Sequence, residues 1–153
     1  MLKIRLKYLS IFLALISLLS FLNILYSYYF NLYLNLNTYF YTLLISGFFS
    51  LIFFNFQSNR NIPSLFEKIL TIIFGYIFIP LILSIPFYFS IYNLTFLNAL
   101  FESVSGFTST GFSIFDDVKQ IDQSLILWRS TTQWIGGLYF LFSIIFLIDI
   151  YNS

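Results

Sequence analysis

The chain has 153 residues, 59% of them apolar and only 8% charged, with a formal net charge of +1. An average soluble domain is roughly one quarter charged, so this composition cannot furnish a water-exposed surface and the protein has to sit in lipid. Cysteine and histidine are both missing, which removes the usual soft and imidazole metal ligands, disulfides, and Ser–His or Cys–His chemistry; there is also no basic stripe for nucleic acid and no Walker-type glycine loop.

Charged residues are absent from residues 8–59, 69–101 and 130–148, and a membrane-crossing helix needs about 20 apolar residues. The first window is long enough for two helices. Lys3, Arg5 and Lys7 precede an apolar run like that of a signal peptide, but the run continues through Phe30 without a small-residue cleavage site and reads as an uncleaved first span over 8–30. The Asn-dotted stretch 31–38 is a turn, and a second helix covers 39–56. Residues 55–63, with Arg60 and closing on Pro63, form a short loop. A third helix over 64–92 contains Gly75, Pro80 and Pro86 and is predicted to kink near one of the prolines. The last span covers 125–148, with Trp128 near one end and Asp149 at the other. The 22 Phe and 12 Tyr read as compositional bias and lipid-facing bulk.

Lys3, Arg5, Lys7, Arg60 and Lys68 fall on one side of this arrangement, and Lys119 and Arg129 on the other. The positive-inside rule makes the first side, and the N-terminus, cytoplasmic. That holds only if residues 93–123 dip into the membrane and return to the side they left. Within them, 95–105 is a helix of about 16 Å, half the hydrocarbon thickness, capped by Asn93 or Thr95. Asn93-Leu94-Thr95 also fits a glycosylation pattern and reads instead as this helix start. The helix is expected to break at Gly106. The following Gly106-Phe107-Thr108-Ser109-Thr110-Gly111-Phe112-Ser113 is backbone that belongs beside protein or water. Thr108, Ser109, Thr110, Gly111 and Phe112 can present successive carbonyls to a dehydrated cation, with Gly111 free to take a positive φ and the helix C-terminus aimed at the same point.

Phe101-Glu102-Ser103-Val104-Ser105-Gly106-Phe107-Thr108-Ser109-Thr110-Gly111, then Leu127-Trp128-Arg129-Ser130 and Gln133-Trp134-Ile135-Gly136-Gly137, resemble the first pore unit of TrkH-type potassium uptake proteins of the Trk/Ktr/HKT superfamily. The resemblance covers residues 65–148, and the preceding helices match the extra N-terminal pair of that family. It implies an all-α membrane protein with four transmembrane helices, one re-entrant pore helix and a filter loop. Residues 1–62 would be the N-terminal pair and 63–153 the first of four helix, pore-loop, helix units. Potassium would bind at the filter carbonyls only and be the transported ion, with no other cofactor. Gly111 would be the filter glycine, which in the first unit is associated with potassium over sodium. Partners would be membrane lipid, the three remaining pore units (in cis, in a split chain or in other copies) and a TrkA-like cytosolic nucleotide-binding regulator, in a bacterial inner membrane. Transport is passive or gated permeation, without covalent chemistry.

Glu102, at membrane depth, reads as a filter support that accepts hydrogen bonds behind the loop or pairs with Arg129; direct attraction of the cation is the competing reading. Arg129 either snorkels to water or has a partner in the loop. Asp116, Asp117 and Asp122 read as a solvated turn, or as a local enricher of cations. Gly136-Gly137 permits close helix packing. Two other readings stand beside the leading one: a complete subunit of a homo-oligomeric cation channel, and a non-transporting packing, regulatory or degenerate protein in which 108–113 is only a turn.

Overall fold

A computed structural model describes residues 5–55 and 64–148. The expected 55–63 loop, with Arg60 and Pro63, is outside the described residues apart from Asn55, as are Lys3 and Asp149. The described residues are helical with no strand: α1 (Leu6–Tyr29), α2 (Leu36–Asn55), α3 (Leu65–Leu83), α4 (Ile85–Tyr88), α5 (Phe96–Phe107), a 3₁₀ turn (Val118–Gln120) and α6 (Gln123–Ile148). Four stretches are long and apolar enough to cross a bilayer: α1, α2, Leu65–Tyr88 and α6. Large apolar side chains on all four are exposed, among them Ile11, Leu44, Ile77 and Ile145. Such a surface is costly in water and natural in hydrocarbon, and this is an integral membrane protein.

The third span is broken where one kinked helix over 64–92 was expected. Pro80 is kept inside α3, and the break falls at Ser84, two residues before Pro86. Pro86 has no amide hydrogen to continue the α3 ladder but suits the first turn of a helix, where that donor would have no partner, so α3 stops and a single turn, α4, begins with Pro86 in it. The last carbonyl of α3, on Leu83, accepts a hydrogen bond from the buried Trp128 indole nitrogen at 3.1 Å.

Polar contacts establish which helix ends lie together. Arg5, before α1, bonds the Glu67 carboxylate of α3 through Nη2 at 3.1 Å and Nε at 3.2 Å. The Lys68 ammonium sits 5.4 Å from the ring centre of Phe146, near the end of α6. At the other end, Asn35 before α2 reaches both Ile91, beyond α4, and Asp122, before α6. The chain therefore leaves the bundle end after α4 and comes back to that same end before α6. Residues 91–122 are a re-entrant excursion containing α5, whose 12 residues span about 18 Å.

The core is aromatic. Tyr39, Phe87, Phe107, Trp128 and Tyr139 are all fully buried. Tyr139 donates to the Ile72 carbonyl at 3.0 Å, and its hydroxyl occupies the space that a Cβ on Gly75 would need.

Candidate functional site

α5 begins with Thr95 in extended backbone, its hydroxyl accepting from the Asn98 amide at 3.3 Å. This is the side-chain cap that relieves an orphan donor at a helix start. The helix does not break at Gly106 but runs on to Phe107. Gly106 serves packing instead: a Cβ there would lie 2.1 Å from Thr132 Oγ1 on α6. Gly136 takes the next contact, because a Cβ on it would stand 1.8 Å from the Phe107 carbonyl oxygen. The C-terminal end of α5 thus rests on α6 backbone to backbone. Gly137 has nothing within 4 Å and plays no such part.

Beyond Phe107 the chain turns sharply. Ser109 adopts φ +55° and Gly111 φ +83°, both in the left-handed region that glycine enters without cost and serine does not. Amides of Thr108, Ser109 and Thr110 bond back to the carbonyls of Val104, Gly106 and Ser105 at 2.8–2.9 Å, which satisfies the last turn of α5. The Thr108 and Thr110 hydroxyls are 2.7 Å apart.

Residues 108–112 are exposed, and their carbonyls fall into two groups. Those of Gly111 and Phe112 each accept from Arg129 Nη2 at 3.2 Å, and Phe112 also accepts from Ser105 Oγ at 2.6 Å. Those of Thr108, Ser109 and Thr110 accept no hydrogen bond among the described residues.

Behind the loop lies a buried charge pair. Glu102, fully buried on α5, accepts at Oε1 from Ser113 Oγ (2.7 Å) and the Ile114 amide (2.6 Å). Its Oε2 makes an ion pair with Arg129 Nη1 at 3.3 Å. Arg129, 8% exposed, also donates from Nη1 to Ser113 Oγ at 2.7 Å. One planar guanidinium therefore joins the carboxylate on α5 to the loop, and this fork geometry is what arginine has and lysine lacks. A buried carboxylate without such partners would be costly in a low-dielectric interior.

Of the residues singled out from sequence, Glu102, Arg129, Gly111 and Phe112 share this network, whereas Thr108, Ser109 and Thr110 lie on its uncovered side. Sequence reading missed Ser113, the hydroxyl between the two charges, and Ser105, which holds Phe112. Both are small hydroxyl residues in a Ser/Thr-rich stretch, and only their partners distinguish them. Asp122 does not lie in a solvated turn: its carboxylate accepts from Asn35 Nδ2 at 3.0 Å and from Ser124 Oγ, and its amide donates to Tyr92 Oη at 2.8 Å. Asp117 is exposed and caps the 3₁₀ turn. No cluster of carboxylates able to hold a metal ion occurs among the described residues.

The chain is similar to several membrane transporters. It is 50% identical over 46 residues to the Trk system potassium uptake protein TrkG of Escherichia coli, covering 30% of this chain and 10% of TrkG. It is 40% identical over 60 residues to TrkI of Halomonas elongata, covering 39% of this chain and 11% of that protein. An uncharacterised cation transporter of Methanocaldococcus jannaschii is 41% identical over 54 residues, covering 35% of this chain and 11% of the relative. The chain thus spans about a tenth of the length of the curated relatives it matches. No solved structure matches it. The TrkH family model, described as a cation transport protein, matches residues 35–151. With most of its length covered by that match, the chain belongs to the TrkH family of cation transport proteins.

Proposed function

We propose that residues 1–62 and 63–153 are the N-terminal helix pair and the first pore unit of a potassium uptake protein, and that residues 108–112 supply one strand of its selectivity filter. The observation that carries this reading is the exposed backbone at the end of a half-length helix, where the Thr108, Ser109 and Thr110 carbonyls accept no hydrogen bond among the described residues. Successive carbonyls of this kind replace the hydration shell of a cation, and the negative end of the α5 dipole adds to the attraction. Arg129 and Ser105 hold the carbonyls of Gly111 and Phe112 from behind, so Glu102 and Arg129 act as filter supports and do not meet the ion. One strand cannot surround a cation, and three more have to come from further units of the same polypeptide, from companion chains or from other copies. The N-terminus lies in the cytoplasm of a bacterial inner membrane, where a TrkA-like regulator would dock.

Growth at limiting potassium tests this. A potassium-uptake-deficient bacterium expressing the chain together with the three remaining units grows, and Gly111→Asp in this chain abolishes growth and rubidium flux while membrane insertion is kept. Flux that is indifferent to Gly111→Asp would sink the proposal.

A further inference from the structure

Asn35 lies in the turn before α2 and is 1% exposed. Its Oδ1 accepts from the Ile91 amide at 3.0 Å, and its Nδ2 donates to Asp122 Oδ2 at 3.0 Å. Those two residues are the start and the finish of the re-entrant excursion. One buried side chain, from an element outside the helix, loop, helix unit, thus grips both ends of the segment that carries the loop. Around it the same ends are joined again. The Asp122 amide donates to Tyr92 Oη, Tyr39 of α2 lies 2.8 Å from Ser124 Oγ, and Asn23 of α1 donates to the Ser124 carbonyl at 3.3 Å. Because Ser124 gives its own proton to Asp122, the Tyr39 hydroxyl is the donor to Ser124, and the Tyr39, Ser124 and Asn35 side-chain donors run towards the one carboxylate.

We infer that Asn35 is a positioning residue, a clasp through which the N-terminal hairpin holds the two ends of the re-entrant segment together and so sets where residues 108–112 stand. The role given to those residues rests on the filter reading above; the clasp itself rests on the distances. Separating the ends would leave the Ile91 amide unpaired and the Asp122 carboxylate with only the Ser124 hydroxyl, which both groups resist at the membrane. An amide suits this place because its two arms offer an acceptor to Ile91 and a donor to Asp122 at once. Aspartate keeps the first bond and sets two carboxylates against each other. Exchanging the pair, Asn35→Asp with Asp122→Asn, puts the donor on the other partner and restores both bonds of residue 35, with the new amide also donating to Ser124 Oγ, whose proton turns towards Tyr39.

The full chain has no cysteine, so introduced thiols are the only labelling sites. Spin labels at Ile91→Cys and Lys119→Cys, in liposomes, read the separation of the two ends by electron paramagnetic resonance. Labels at Leu18→Cys and Leu44→Cys, on exposed faces of α1 and α2, read the hairpin. The expected result is a narrow distance distribution in the parent, a broad one in Asn35→Asp, and a narrow one again in the Asn35→Asp, Asp122→Asn double variant, with the hairpin pair unchanged throughout. The labelling rate of Thr110→Cys by a membrane-impermeant thiol reagent should change several-fold in the single variant and return in the double. A distribution that stays narrow in Asn35→Asp, no recovery in the double variant, a Thr110→Cys rate that does not follow the ends, or a hairpin pair that moves with them would each overturn the inference. None of these readouts needs conduction, so absent flux beside an intact clasp would fault the filter reading and leave this one standing.

Discussion

The α1–α2 hairpin and the α5–α6 unit are both rich in buried hydroxyls, and they differ in how far most of those hydroxyls reach. In the hairpin most are satisfied locally. Ser20 donates to Ile16, Thr42 to Thr38 and Ser46 to Thr42, each one turn back on its own helix. Such bonds let small residues line a close interface, but they hold no second element in place. In the α5–α6 unit Thr132 and Ser143 also bond their own helix, but the bonds around the loop reach across the fold: Ser103 to the Pro80 carbonyl, Ser113 to Glu102, Arg129 to the loop. This helix pair is held mainly by shape, with Ser17 to the Leu43 carbonyl and Ser50 to the Ser10 carbonyl as bonds across it. A loop that must keep one conformation inside the membrane needs partners from other elements.

The contrast is broken most severely at Arg129. Arg129→Ala leaves the buried Glu102 carboxylate without its cation, frees the Gly111 carbonyl and leaves that of Phe112 with Ser105 alone, and should cost about 3–5 kcal/mol, read as a lowered unfolding midpoint in detergent. Gly136→Ala comes next, because the added methyl would meet the Phe107 backbone, which cannot swing aside as a side chain would. Overpacking of this kind costs about 1–3 kcal/mol, while Gly137→Ala, with open space around it, should leave the midpoint unchanged in the same melt. The smallest effect belongs to the hairpin. Thr42→Val removes one hydroxyl bonded to its own helix and should shift stability by less than about 1 kcal/mol; a loss as large as that of Arg129→Ala would erase the distinction between the two regions.

The same distinction governs how much could be read from the sequence. Four spans and a half-length helix follow from charge-free windows and from a cap such as Thr95, because lipid imposes its length rule residue by residue. Two prolines made a break in the third span foreseeable without saying which would cause it, since Pro80 is tolerated inside α3. Gly111 was legible as a site of positive φ, but Ser109 was not, because nothing in a serine announces the left-handed region. Asp122 was read with its neighbours Asp116 and Asp117 as a solvated turn. Its partners Asn35 and Tyr92 stand 87 and 30 residues away, and no local pattern carries that information. Gly106 looked like a helix end and is a packing site, a difference that lies in Thr132 on another helix.

The pairing of Glu102 with Arg129 also has a consequence for biogenesis. The carboxylate leaves the ribosome before the arginine that neutralises it, so α5 emerges as a half-length segment with a charge it cannot carry into hydrocarbon alone. It has to wait at the membrane surface until α6 has been threaded across and brings the guanidinium into reach. The loop is then a late product of insertion, and a ribosome stalled before Arg129 would leave it facing water.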